Sequence, residues 1–200
     1  GVSATSEHTM CLMTALMRML PAAFDSVKNG EWASERFQGN ELSGKILGIV
    51  GCGRLGSKVA RIALAFGMRV IAYDPGINRL PAKVEREPRL GSLLKKVDVL
   101  SLHVPLTRET KHMIDSKKLR LMKKGSFIVN TSRGDIICSD ALLKYLENGH
   151  LKGAALDVIE GENKEIYTAS RLIEYSKKNH NLIITPHIGG ATEESVQKTD

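Results

Sequence analysis

Aromatic residues make up only 4% of this 200-residue chain, which leaves few platforms for stacking single-stranded nucleic acid. Cysteine is equally sparse. Cys11, Cys52 and Cys138 are an odd number at unpatterned spacing, which argues against a disulfide framework and fits free thiols in a reducing cytoplasm. No Cys and His spacing has the form of a metal site, so no metal is expected. No apolar run approaches the thickness of a bilayer and no signal-peptide pattern opens the chain, so no membrane partner is expected. Internal repeats and low-complexity tracts are absent as well. Acidic residues are outnumbered, 22 against 29 basic, for a formal charge of +7. The densest basic cluster, Lys117, Lys118, Arg120, Lys123 and Lys124, alternates with Leu119, Leu121 and Met122. That is the pattern of a solvated helix face over an apolar underside. The basic surplus suits an anionic small molecule, and nucleic acid is not expected as a partner.

What is present is ordinary globular material. Hydrophobic residues are 42% and charged residues 26%, enough to bury a proper core. The chain has no initiating Met and opens almost directly in a helical pattern, the expected look of a piece excised from a longer protein.

One stretch organises the rest: Ile46-Leu47-Gly48-Ile49-Val50, then Gly51-Cys52-Gly53-Arg54-Leu55-Gly56. The apolar run reads as a buried strand. Gly51 permits a tight turn, Gly53 lets the backbone approach a pyrophosphate, and Gly56 lets the next helix pack against the strand. Free amides at that helix N-terminus attract phosphate oxygens. Leu55, Val59, Ile62 and Phe66 follow at helical spacing, Gly67 stops the helix, and a second apolar run ends in Asp74, eighteen residues past Gly56. A carboxylate there is placed to accept from a ribose hydroxyl. It would repel a 2′-phosphate, which favours NAD over NADP; the nearest downstream arginine in sequence is Arg79.

Residues 4–29 read as a long helix with an apolar stripe of Met13, Leu16, Met17, Leu20, Phe24 and Val27, kinked or split by Pro21 and stopped at Asn29-Gly30. Four of the seven methionines, Met10, Met13, Met17 and Met19, lie in this segment. They serve either as core filler or as a soft contact with another subunit. Residues 32–42 form an irregular connector. Strands are expected near 46–50, 69–73, 97–103, 126–130, 153–158 and 182–185. Helices are expected near 54–66, 90–96, 116–123, 139–148, 164–177 and 192–199. Alternating β and α units with near-continuous apolar strands mean an α/β fold, a doubly wound parallel sheet. Ligands bind such sheets at the strand carboxyl ends. That rule gathers Asp74, Val104-Pro105, Asn130 to Arg133, Asp157 and Pro186-His187 into one place. An arginine there can clamp a carboxylate, and a histidine can exchange a proton with a carboxylate behind it. Spacing by itself leaves Asp157, Glu160 and Glu162 open as that carboxylate.

The chain resembles the NAD-binding domain of the D-isomer-specific 2-hydroxyacid dehydrogenases, and most of all their D-3-phosphoglycerate dehydrogenase-type members. The resemblance runs through nearly the whole length. It rests on Gly51 to Gly56, Phe66-Gly67-Met68, Tyr73-Asp74-Pro75, His103 to Thr107, Lys124-Gly125, Asn130 to Gly134, Gly153 to Val158 and Thr185 to Thr192. It implies a Rossmann-type fold and, as catalytic residues, Arg133, His187 and Glu162, the last 29 residues after Arg133. It implies NAD as cofactor, held by Gly51, Gly53, Arg54, Leu55, Gly56 and Asp74, with His103, Val104, Pro105 and Thr110 toward the adenine. Thr131, Asp157, Gly189 and Gly190 would lie at the nicotinamide end. The implied reaction moves a hydride between NAD and a D-2-hydroxy acid, D-3-phosphoglycerate first among the candidates. Glyoxylate-, lactate-, formate- and phosphite-type enzymes, and corepressors that use NAD to control assembly, share the family. The resemblance further implies that residues 1–200 are the cofactor domain alone, with residues 1–30 as a linking and dimer-forming helix and the substrate domain absent. After Glu162 the family carries a Glu-Pro-rich connector; here Asn163-Lys164-Glu165-Ile166-Tyr167 precedes a helical pattern running to His180.

Overall fold

A computed structural model describes residues 1–162 and 170–196, with only the backbone at Val196. Parts of the expected helices 164–177 and 192–199 lie outside the described residues. Seven parallel strands form one sheet in the order β3-β2-β1-β4-β5-β6-β7. They are β1 (Ile46–Val50), β2 (Arg69–Tyr73), β3 (Val84–Arg86), β4 (Val99–Leu102), β5 (Ser126–Asn130), β6 (Leu151–Leu156) and β7 (Leu182–Ile184). This is the doubly wound arrangement, whose order reverses beside β1.

Helices cover both faces. On one side lie α1 (Val2–Met17) and α3 (Arg54–Ala65), and on the other α4 (Leu90–Lys96), α5 (Ser116–Leu121), α6 (Ser139–Glu147) and α7 (Arg171–Ser176). The central strands are apolar throughout because both of their faces are covered. In β5, Phe127 and Val129 join the α1/α3 core while Ile128 joins the opposite one. Gly48 in β1 leaves room for α4, since a Cβ there would lie 2.6 Å from Val97.

The expected helix 4–29 is two helices, α1 and α2 (Leu20–Lys28), bent by 66°. The break falls upstream of Pro21, at Met19, whose φ is 56°. Proline has no amide to donate and its ring crowds the carbonyl four residues earlier, so it sits in the first turn of the new helix. That carbonyl belongs to Met17 and accepts instead from the Asn40 amide at 2.7 Å. The apolar stripe divides with the helix. Met10, Met13, Leu16 and Met17 are buried in the chain's own core, so these methionines are core filler and not a free subunit surface. Leu20, Phe24 and Val27 do not continue that core: Phe24 is 61% and Val27 55% exposed, and Trp32 beyond them is 88% exposed. Among the described residues no single helix is long and apolar enough to cross a membrane.

The other strands lie within two residues of their expected bounds, and β3 was not expected. Val84-Glu85-Arg86 has one apolar residue and no period. It becomes a strand because the β2 ladder pairs Val70 with Val84 and Arg69 reaches across to Glu85 at 2.9 Å. The last helix, α8 (Glu193–Val196), closes the described chain.

Candidate active site

The strand carboxyl ends bring the glycine loop to Asp74. Gly51 turns at φ 87°, where a side chain is strained, and a Cβ there would lie 2.8 Å from the His103 backbone carbon. A Cβ on Gly56 would lie 2.1 Å from the Gly51 carbonyl oxygen, whereas nothing lies within 4 Å of the Cβ position of Gly53. Gly51 and Gly56 therefore serve the fold, and Gly53 faces open space. Asp74, leaving β2, accepts the Cys52 amide at 2.7 Å and the Gly76 amide at 2.9 Å. Its carboxylate locks the loop as well as standing at its edge. The Ser57 hydroxyl donates to the Cys52 carbonyl at 2.7 Å. Burial pushes the Cys52 thiol above its ordinary pKa, against the lowering effect of Ser57. The first-turn amides of α3, at Arg54, Leu55 and Gly56, have no acceptor within the helix. The arginine against the Asp74 loop is Arg86, which donates to the Asp74 carbonyl at 3.2 Å and the Ile77 carbonyl at 2.8 Å. An open glycine, unpaired helix amides and a carboxylate at the next strand end form a donor and acceptor set that fits a dinucleotide.

After β4 the chain runs past this loop. Val104 packs against Gly51 and the His103 carbonyl faces it. The His103 ring turns inward instead. It meets Ser101 at 2.9 Å, its Nδ1 is buried with no partner among the described residues, and burial pushes its pKa down to about 3. It is a neutral structural imidazole, and the residue reaches the cofactor space through its backbone. Thr110 likewise holds its own loop, donating to the Pro105 carbonyl at 2.6 Å and accepting the Thr107 amide at 2.7 Å.

The proton-transfer candidates meet beyond β6 and β7. His187 Nδ1 lies 2.8 Å from Glu162 Oε1, with the imidazole 52% exposed. Glu162 is in turn anchored by the Ile159 amide at 3.2 Å. The geometry thus separates the three acids that spacing leaves open. Glu162 pairs with His187. Glu160 pairs with His112 at 2.6 Å and accepts the Ser139 amide. Burial would raise its pKa, but the His112 and Ser139 hydrogen bonds outweigh it and hold the carboxyl below the ordinary value. Asp157, only 1% exposed, holds the loop that carries His187. It accepts the Ile188 amide at 2.9 Å, the Gly189 amide at 2.7 Å and the Thr185 hydroxyl at 2.6 Å, while its carbonyl accepts the His187 amide at 2.9 Å. His187 sits at φ 55°, a conformation that persists only where the surroundings enforce it.

Arg133 lies on the loop after β5. Asn130 shapes that loop by accepting the Ser132 amide at 3.1 Å and donating to the Arg133 carbonyl at 2.9 Å. One Arg133 nitrogen donates to the Ser132 carbonyl at 2.6 Å, and the guanidinium is exposed. A cavity of about 260 Å³ holds Arg133, Lys111 and Glu162. Another of about 430 Å³ holds His187, Asp157 and Glu162. Glu162 lines both, so the arginine and histidine sides meet at this carboxylate. Thr131 is buried and its hydroxyl meets that of Thr9 on α1 at 2.8 Å. Gly189 is packed, but nothing lies within 4 Å of a Cβ on Gly190.

Some residues of the candidate site and its surroundings were not visible in sequence. His8 on α1 meets Asp157 at 3.2 Å and Thr185 at 3.1 Å, yet it is 149 residues from Asp157 and carried no motif. His112, Asp135 and Glu160 bring ligand atoms within 4.8 Å of one another, a grouping that Cys and His spacing does not reveal. It is already occupied as an ion-pair network, with the Lys111 ammonium 3.7 Å from Asp135 and His112 bonded to Glu160.

A family model described as "D-isomer specific 2-hydroxyacid dehydrogenase, NAD binding domain" matches residues 10–189. The chain is 44% identical over 193 residues to the D-3-phosphoglycerate dehydrogenase of Methanocaldococcus jannaschii, covering 95% of this chain and 36% of that one. It is 41% identical over 200 residues to the hydroxypyruvate reductase of Thermotoga maritima, covering 99% and 64%. Among solved structures, D-lactate dehydrogenase from Aquifex aeolicus, complexed with NAD and lactic acid, superposes with a TM-score of 0.89 at 36% identity, covering 99% of this chain and 63% of that one. The chain thus spans about a third of the D-3-phosphoglycerate dehydrogenases it matches and under two thirds of the shorter relatives.

Proposed function

The chain belongs to the D-isomer-specific 2-hydroxyacid dehydrogenase family, as its NAD-binding domain, and from that membership we propose that it carries the cofactor and proton-transfer half of a dehydrogenase interconverting a 2-oxo acid and a D-2-hydroxy acid. D-3-phosphoglycerate is the first candidate substrate, since relatives so named match nearly the whole chain. The observation that carries the proposal is the 2.8 Å pair of His187 and Glu162, with Arg133 on the far side of the same carboxylate.

In this reading the α3 amides and Gly53 hold a pyrophosphate, Asp74 accepts a ribose hydroxyl, Val104 and Pro105 flank the adenine side, and Gly190 opens the nicotinamide end. Bound NADH supplies the hydride. Arg133 orients the substrate carboxylate through paired N–H donors. His187 places a proton on the carbonyl oxygen from Nε2. Glu162 accepts the Nδ1 hydrogen, which fixes the ring and its tautomer. Oxidation runs the same proton path in reverse. The substrate domain lies outside residues 1–200, which the chain's share of its relatives supports. Three free cysteines support a reducing, cytoplasmic setting. The exposed Phe24, Val27 and Trp32 around α2 support a homodimer surface there, with the α1 methionines committed to the core.

The test uses the native full-length protein with NADH and a panel of 2-oxo acids, following NADH absorbance. His187→Ala should lower kcat by about 10²- to 10⁴-fold, the usual worth of a placed acid, and leave the NADH Kd within about twofold. Retained turnover, or loss of NADH binding, refutes the assigned role.

A further inference from the structure

The structure assigns His8, on the first helix, a role as positioning residue for His187; this rests on the dehydrogenase reading above. A carboxylate can only accept, so the 3.2 Å contact with Asp157 Oδ1 requires the hydrogen on His8 Nε2. The same nitrogen lies 3.1 Å from the Thr185 hydroxyl oxygen, whose own hydrogen goes to Asp157 at 2.6 Å. Asp157 Oδ1 therefore gathers three donors, from His8, Thr185 and the Ile188 amide, and Oδ2 takes the Gly189 amide.

These partners bracket His187 on both sides. His187 has no short-range element to hold it: it stands between β7 and α8 at φ 55°. Its loop is held by the Leu156 and Asp157 carbonyls, which accept the Thr185 and His187 amides, and by the buried Asp157 carboxylate; among the described residues, the donor to that carboxylate from outside the 185–189 segment is His8. The same helix closes over the loop sterically. A Cβ on Gly189 would lie 3.4 Å from Thr5 Cγ2 and 3.5 Å from His8 Cδ2. Thr9, one residue further along α1, meets Thr131 beside the Arg133 loop at 2.8 Å. One turn of α1 is thus bonded to both catalytic loops. Losing the His8 contact should misplace the proton donor, whereas the glycine loop is held by its own bonds, from the Cys52 amide to Asp74 and from the Ser57 hydroxyl to the Cys52 carbonyl.

The test is His8→Ala and His8→Gln in the native full-length protein, read in two independent ways. A misplacement near 1 Å costs up to about 10²-fold. His8→Ala should therefore lower kcat by about 10- to 100-fold and leave the KM for NADH within about twofold. His8→Gln keeps an N–H near the Nε2 position and should recover most of the loss. In peptide-resolved hydrogen exchange, the 185–190 segment should exchange faster in His8→Ala and close to wild type in His8→Gln, with the thermal midpoint lowered by no more than a few degrees. Unchanged kcat in His8→Ala overturns the proposal, as does a loss that Gln does not recover or a rise in the NADH KM that matches the fall in kcat. If His187→Ala proves active, the dehydrogenase reading itself has failed. The exchange arm then decides alone, and an unaltered 185–190 segment in His8→Ala sinks the clamp.

Discussion

Gly53 and Gly56 belong to one motif, yet the structure gives them different work, and paired alanine substitutions separate the two. At Gly56 a Cβ would stand 2.1 Å from the Gly51 carbonyl oxygen and 3.2 Å from Ile49. Backbone cannot swing aside as a side chain does, so α3 must shift from β1 by about 1 Å in a close-packed interior. Overpacking of this kind costs about 3 kcal/mol. At roughly 2–4 °C per kcal/mol for a domain of this size, Gly56→Ala should lower the Tm by about 6–12 °C. At Gly53 no heavy atom lies within 4 Å and φ is −65°. The lost helix-capping preference and the reduced freedom of the unfolded chain offset each other to within about 1 kcal/mol. The added methyl instead fills the space through which the backbone approaches a pyrophosphate. Gly53→Ala should therefore keep the Tm within a few degrees, about 1 kcal/mol, and weaken NADH at least tenfold, about 1.4 kcal/mol. Thermal unfolding and calorimetric titration of both variants measure this. Wild-type NADH affinity in Gly53→Ala, or equal destabilisation by the two substitutions, would refute the division.

Asp74→Ala should weaken NADH by about tenfold or more, since it removes a charged acceptor, and narrow the preference over NADPH; titration with both cofactors checks it, and an unchanged ratio rejects the ribose role. Acid unfolding reports on His103. Burial holds its pKa to about 3 against an ordinary 6.5, so between those values the unfolded chain takes up a proton that the folded chain refuses. Stability therefore falls as the pH falls, by up to about 1.4 kcal/mol per unit. Urea unfolding between pH 6.5 and 5, above the carboxylate range, should show this slope in wild type and lose it in His103→Asn; equal slopes would contradict a ring held neutral in the folded chain.

Much of this molecule is local in origin. The apolar run ending at Val50, the three glycines and Asp74 at the end of the next run dictate strand, turn, helix and strand through short-range sterics and periodicity. The pattern 46–50 and 69–73 is therefore the pattern of the folded chain. Strand β3 escaped because one valine in three residues carries no period; a neighbouring ladder makes it a strand. The helix break was legible as an effect of Pro21 but displaced to Met19, because proline acts on the turn before it. At the site, the family resemblance pointed to Arg133, Glu162 and His187, while spacing could not choose among Asp157, Glu160 and Glu162, which lie within six residues of one another. That choice is one of direction in space. The chain after β6 turns Asp157 inward to three loop donors, Glu160 toward His112 and Glu162 toward His187.

The sequence by itself determined the alternation of strands and helices, the glycine turn and the residue types available for chemistry, because these follow from neighbours a few positions apart. Only the tertiary structure decided that the His103 ring is neutral with its Nδ1 buried, that the first apolar stripe is core at Met13, Leu16 and Met17 but exposed at Phe24 and Val27, and that His8 reaches a carboxylate 149 residues away. Burial and hydrogen bonding between distant segments exist only once the sheet has brought its strand ends together.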